Sequence, residues 1–113
     1  MTIEIAGRSV GSDHPPFVIA EMSGNHNGSL QKAIEIVDAA AECGADAIKL
    51  QTYTADTMTI DCDREDFKIN DPNSLWNGRT LYNLYEEAHT PRDWHYEIFN
   101  RAKAKGILYL SSP

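Results

Sequence analysis

The chain has little cysteine: Cys43 and Cys62 are the two in 113 residues. With no C-x-x-C pairing they suggest neither a disulfide framework nor a zinc knuckle, so free thiols in a reducing compartment are expected. Long apolar runs are also missing, and no window approaches the ~20 consecutive apolar residues that span a bilayer. The opening MTIEIAGRSV lacks the cationic flank and apolar core of an export signal, so the expected location is the cytoplasm. Positive charge is scarce. Ten Lys and Arg against seventeen Asp and Glu leave a formal net charge of −7, a field that repels nucleic acid and anionic membrane surfaces. A small anion is still admissible as a ligand, because a pocket can be locally positive inside an acidic protein.

Two motif matches are set aside. Asn27-Gly28-Ser29 fits a glycosylation sequon, but nothing in the sequence directs the chain to export. The acidic run from Asp61 has Asp66 where a calcium loop needs glycine and Pro72 where it needs its bidentate glutamate.

What is present is a 42% hydrophobic content over the length of one domain, enough for a core. TIEIAGRSV alternates on either side of Ala6-Gly7 and predicts a hairpin over Thr2–Val10. Phe17 to Ala20 is continuously apolar, as in a strand buried on both faces. Ser29 reads as an N-cap for a helix carrying Leu30, Ala33, Ile34, Val37, Ala40 and Ala41 on one side, with Gly44 as its stop. A second strand is predicted over Ala45–Gln51. Thr90-Pro91-Arg92-Asp93 combines a cap, a proline at the first helical position and an acid three residues on. Trp94, Ile98 and Ala102 then form the apolar stripe, Gly106 ends the helix, and Ile107–Leu110 forms a third strand.

This alternation predicts an α/β fold of parallel strands joined by helical crossovers. The long connection between the second and third strands holds one further helix, Thr80–Ala88, with Leu81, Leu84, Tyr85 and Ala88 on a shared face. The segment from Thr54 to Gly78 is polar and reads as irregular, a length that is usually functional or mobile. The third strand has no following helix to cover it, which leaves an open sheet edge, and a complete eightfold barrel needs ~250 residues. The expectation is therefore a piece of a larger domain.

Functional groups in such folds gather where strands end. The first strand exits into Glu21, Ser23, Asn25, His26 and Asn27; the second contains Lys49 and Gln51, followed by Thr52 and Tyr53; the third exits into Ser111 and Ser112. Strand alternation turns Ile48 and Leu50 one way and Lys49 and Gln51 the other. A lysine facing inward is costly unless an anion meets it. Lys49 thus either grips a phosphate or carboxylate, or it snorkels outward or pairs with Glu21 for structure alone. Glu21 is a candidate for catalysis or direct substrate contact, the plainer role being to cap a nearby amide. Asn25 and Asn27 suit turn formation. His26 is more simply a hydrogen-bonding loop residue than a metal ligand. Ser111 and Ser112 have no base nearby for a hydrolase triad, but can donate to an oxyanion. Most of the aromatics fall on helical stripes and read as core or interface; Trp76 is the exception, a candidate ligand contact.

Together, "AEMSGNHNG", "GADAIKLQTYTADTMTID" and "KGILYLSSP" resemble the N-terminal part of the sialic acid synthase family. The middle stretches "LWNGRTLYNLYEEAHTP" and "WHYEIF" are more similar to its pseudaminic acid branch than to the neuraminic or legionaminic acid enzymes, which stand as the alternative within the family. The resemblance implies the first part of a (β/α)8 TIM barrel, residues 1–113, with the remaining strands and a C-terminal antifreeze-like domain outside this sequence. It implies condensation of phosphoenolpyruvate with an N-acetylated amino sugar to give a nonulosonic acid and phosphate. The alkene carbon attacks the open-chain aldehyde, water adds to the resulting cationic carbon, and phosphate leaves by carbon–oxygen cleavage. By the same resemblance Glu21 is the acid–base group, while Lys49, Gln51 and Ser112 hold phosphoenolpyruvate. Asn25, His26, Tyr53 and Trp76 are further candidate substrate contacts. The family's divalent metal, manganese or magnesium, would be held by histidines outside this sequence, and its enzymes are homodimers. The segment by itself is expected to be inactive. Two readings of other classes stand beside this one: an aldolase or isomerase using the Lys49 amine as a Schiff base, and a noncatalytic module whose exposed third strand pairs with another chain.

Overall fold

A computed structural model describes the whole chain, Met1–Pro113. The alternating N-terminal residues form a hairpin of β1 (Thr2–Ile5) and β2 (Arg8–Gly11), paired antiparallel with Ile3 opposite Val10. Ala6 and Gly7 turn it at φ of 49° and 82°, the positive pair that two-residue hairpin turns favour.

The main sheet holds β3 (Ile19–Glu21), β4 (Ala47–Gln51) and β5 (Leu108–Ser112), all parallel and in that spatial order. Helix α1 (Leu30–Glu42) connects the first pair. Ser29 accepts the Lys32 N–H at 3.2 Å and caps its start. At its end Gly44 sits at φ 85°, where Gly44 N–H bonds Ala41 O and Ala45 N–H bonds Ala40 O. Helix α4 (His95–Ala104) leads into β5 and closes identically, with Gly106 N–H to Lys103 O and Ile107 N–H to Ala102 O. Both are Schellman closures, which need the left-handed residue that glycine supplies without steric cost.

Between β4 and α4 lie α2 (Ala55–Met58), a 3₁₀ turn at Glu65–Phe67 and α3 (Leu81–Ala88). The connection is thus more ordered than its polar composition predicts. Thr54 N–H donates to Thr57 Oγ1 at the start of α2, and Lys68 bridges to Thr80. The predicted cap at Thr90 is also corrected. Pro91 opens a 3₁₀ turn over Arg92–Trp94 before α4, and Thr90, 1% exposed, turns its hydroxyl to His26 instead. A buried hydroxyl facing a buried imidazole gains more by that bond than by capping a turn water could satisfy.

Met22, Ala33, Val37, Ile48, Leu50, Ile98, Ala102 and Ile107 form the core between the sheet and helices α1 and α4. The two helices pack against each other, with Arg101 donating to both carboxylate oxygens of Asp38 at 2.6 and 2.8 Å. Both therefore cover the same side of the sheet. A doubly wound sheet would place helices on both sides; coverage of one side only is the barrel arrangement. This explains a second correction. β3 is not buried on both faces: Ala20 packs on the core, whereas Ile19 is 43% exposed on the opposite face. That opposite face is apolar at one end, with Ile5, Phe17, Ile19, Ala47, Leu108 and Leu110 around a hollow of 270 Å³. Arg8 of the hairpin pairs with Asp46, whose second oxygen accepts the Val18 N–H at 2.7 Å. This ties the hairpin to that apolar end. No helix is long and apolar enough to cross a membrane.

Candidate active site

The carboxyl end of the same open face is polar. Registers of Glu21 beside Lys49, and of Gln51 beside Ser112, follow from parallel pairing, and the two-residue alternation points all four side chains away from the helices. Lys49 Nζ lies 2.5 Å from Glu21 Oε1, with the lysine side chain 29% exposed and the glutamate 62%. An ammonium is thus held at the mouth with its carboxylate partner reachable by solvent. Gln51 Oε1 accepts the Ser23 hydroxyl at 3.2 Å. Ser112 Oγ reaches the Leu50 carbonyl at 3.5 Å.

Beside this pair opens a cleft of 460 Å³ lined by Ser23, Asn25, Asn27 and Gln51 on one wall and by Tyr53, Trp76, Leu84 and Tyr85 on the other, among its eleven residues. No lining side chain carries a charge. The loop after β3 makes the polar wall through short turns, Asn25 N–H to Met22 O and Asn27 N–H to Gly24 O. Ser23 and Asn27 sit at φ 50°, Gly28 at φ 69°, which agrees with the turn-forming role read for the asparagines. Asn25 Nδ2 also donates to Met22 O at 2.9 Å. Tyr53, 9% exposed, meets Tyr85 edge-on at 5.6 Å; burial, then Tyr85, holds its phenol above the usual range. Trp76 stacks under the Arg79 guanidinium, 5.0 Å from the ring centre.

His26 is corrected as a substrate contact. It is wholly buried, its Nδ1 accepts the Gly28 N–H at 3.1 Å, and its Nε2 bonds Thr90 Oγ1 at 2.8 Å. Since Nδ1 accepts, Nε2 carries the proton and donates. The ring edge rests on Trp94, 5.3 Å away. Burial, then the nearby His89, lowers its pKa, which favours this neutral, internally bonded form. The other candidates fall together: Glu21, Lys49, Gln51 and Ser112 at the strand ends, Asn25, Tyr53 and Trp76 around the cleft.

Sequence reasoning missed two contributions. Leu84, Tyr85 and Ala88 read only as a shared helix face, with the aromatic stripes taken as core or interface, but none is buried, and their face of α3 forms a cleft wall. The shortness of that helix was the available signal. The second is a chain from His95 Nε2 to Thr52 Oγ1 at 2.8 Å and on to Ser111 Oγ at 2.6 Å, which no local pattern announces. It directs Ser111 toward the helices and leaves Ser112 facing the mouth.

These residues do not fit a divalent metal. No three His, Cys, Asp or Glu side chains converge at ligating distance, Glu21 is engaged by Lys49, and both nitrogens of His26 are in use.

The pseudaminic acid synthase of Campylobacter jejuni subsp. jejuni is 52% identical to this chain over 102 residues, 90% of the chain and 29% of that protein. The N,N'-diacetyllegionaminic acid synthase of Legionella pneumophila subsp. pneumophila is 40% identical over 105 residues, 90% of the chain and 28% of that protein. Among solved structures, the N-acetylneuraminic acid (sialic acid) synthetase of Leptospira borgpetersenii serovar Hardjo-bovis, crystallised with citrate, superposes with a TM-score of 0.76 at 26% identity, over 100% of this chain and 34% of that one. The chain therefore spans less than a third of the length of the curated relatives it matches. Its fold is the N-terminal part of a (β/α)8 barrel. A model of the NeuB family matches residues 36–113, and the chain belongs to that family.

Proposed function

We propose that this chain supplies substrate-binding residues of a synthase that condenses phosphoenolpyruvate with an N-acetylated amino sugar, releasing phosphate and forming a nonulosonic acid. The observation that carries the reading is the juxtaposition at the mouth. A lysine–glutamate pair lies beside a 460 Å³ cleft lined by amides, hydroxyls and aromatic rings and free of charge. The first suits a small phosphorylated carboxylate; the second suits a neutral acylamino sugar, with amides for its hydroxyls and ring faces for its C–H surfaces. Gln51 belongs to both, next but one to Lys49 on β4 and lining the cleft.

In this reading Lys49 and Ser112 hold the phosphate or carboxylate of phosphoenolpyruvate. Glu21, displaced from Lys49 by the anion, takes up or delivers the proton of the water that adds to the reacting carbon. Pseudaminic acid is the product of choice, on 52% identity to a synthase of that name against 40% to a legionaminic one. The same reading has a cytoplasmic homodimer, with a manganese or magnesium ion held by residues other than these.

The test is an assay of the complete gene product with phosphoenolpyruvate and competing N-acetylated amino sugars, the bridging oxygen of phosphoenolpyruvate carrying ¹⁸O. The label is expected in released phosphate, with the amino sugar that yields pseudaminic acid preferred over its competitors. Label retained in the organic product, or a carbonyl substrate trapped on Lys49 by borohydride, would overturn the proposal in favour of Schiff-base chemistry.

A further inference from the structure

We infer that His26 is a positioning residue for the uncharged cleft, its bond to Thr90 clasping the loop after β3 to the segment after α3 and so fixing the cleft's width. The inference rests on the reading of that cleft as the sugar's.

The cleft has two walls that come from distant parts of the sequence. Ser23, Asn25 and Asn27 belong to the loop after β3, and Leu84, Tyr85 and Ala88 to α3. Their separation depends on what joins the loop to the end of α3, and two contacts do so. Gly24 lies against Ala88 so closely that a Cβ at position 24 would stand 3.0 Å from the Ala88 carbonyl oxygen and 3.4 Å from its Cβ. Two residues further along each segment, His26 Nε2 meets Thr90 Oγ1 at 2.8 Å. His26 and Thr90 are the buried polar residues of the chain, 0% and 1% exposed, and the proposed chemistry uses neither.

The loop needs such a fastening. Ser23 and Asn27 hold left-handed backbone at φ 50°, a conformation that asparagine tolerates but that costs a serine, so surrounding contacts must support it. The imidazole supports it from inside the turn. Its Nδ1 accepts the Gly28 N–H at 3.1 Å, its Nε2 reaches Thr90, and its ring edge rests on Trp94. One side chain therefore closes the turn on itself and anchors it across the cleft. A glutamine or asparagine could make one of these bonds but would lack the flat ring that packs on Trp94.

The experiment compares Thr90→Val, Thr90→Ser and Gly24→Ala in the complete gene product. Thr90→Val keeps the shape and removes the hydroxyl, and is expected to raise KM for the amino sugar about tenfold while KM for phosphoenolpyruvate stays within about twofold. Thr90→Ser, which restores the hydroxyl, is expected within about threefold of wild type. Gly24→Ala sets a Cβ 3.0 Å from the Ala88 carbonyl oxygen, pushes the loop from the end of α3 and so strains the same clasp, and should give the same split. A ¹⁵N NMR readout is independent of activity: His26 should carry its proton on Nε2, and Thr90→Val should displace the amide resonances of Ser23, Asn25 and Asn27 but not that of Lys49. Unmoved loop resonances, a proton on Nδ1, or both KM values rising together would overturn the clasp. A wild-type protein that leaves phosphoenolpyruvate unconsumed would instead overturn the function, and the loop resonances would still decide the clasp.

Discussion

Lys49 Nζ stands 2.5 Å from Glu21 Oε1 across neighbouring strand ends, with the glutamate side chain 62% exposed. An ion pair that open to water contributes on the order of 0–1 kcal/mol. An incoming dianion can therefore take the ammonium from the carboxylate at small cost, leaving the carboxylate free to handle a proton.

Lys49→Met is expected to raise KM for phosphoenolpyruvate by about 10- to 100-fold, the usual cost of a hydrogen bond to a charged group. Glu21→Gln is expected to lower kcat by about 10²–10⁴ with phosphoenolpyruvate still bound, as for loss of an acid–base group. Calorimetry beside steady-state kinetics separates the two effects. Undiminished affinity in the methionine variant would refute the anion-binding role.

Trp76 lines the cleft and has the Arg79 guanidinium over its ring. Trp76→Ala removes that wall and should weaken the amino sugar about tenfold, in the range of an aromatic contact, without altering phosphoenolpyruvate kinetics. Equal losses for both substrates would place Trp76 outside the sugar's cleft.

Ile98 is fully buried between α4 and the sheet. Ile98→Ala should cost about 2–5 kcal/mol of stability, the transfer term plus the cavity left behind, read from urea midpoints. A loss below about 1 kcal/mol would mean the core collapses around the gap.

Burial, then His89, holds the His26 imidazole below its ordinary value. The unfolded chain thus accepts a proton that the folded chain resists. Above roughly pH 6.5 both forms are neutral and His26 adds no pH dependence. As pH falls below that value stability is lost, until His26 itself titrates in the fold. Urea midpoints taken from about pH 7 to pH 5 should drop more steeply in wild type than in His26→Gln. Identical slopes would contradict this.

Legibility in the sequence followed the reach of each interaction. Ser29, Gly44 and Gly106 act within a turn of their own helices, and their helix ends were readable. The inward set Glu21, Lys49, Gln51 and Ser112 was readable as well, because strand alternation is local and parallel register brings the exits level. Thr90 was misread as a cap, and His26, rightly read as a hydrogen-bonding loop residue, could not be given its partner, for one reason. Their true partners are each other, 64 residues apart, and a local pattern cannot see across that distance. The Leu84 and Tyr85 face was readable as apolar but not as a cleft wall, because an apolar stripe states that something covers it, but not whether that is protein or ligand.

The one-sided sheet has a consequence for self-association. Its edges are β3 and β5, each with a row of backbone groups that no strand in this chain meets. At the apolar end the flanking side chains include Val18, Ile19 and Leu108, 38 to 49% exposed, a composition that invites a further strand, from a second molecule if from nowhere else. At the mouth end the same edges carry Glu21 and Ser112, with Lys49 between them, and charge there opposes such pairing. Light scattering from the isolated chain should fall on Leu108→Lys and rise on Glu21→Gln; the reverse order would refute the asymmetry. The proposed substrate recognition and resistance to aggregation would thus draw on the same side chains at one end of the strands and be separate demands at the other.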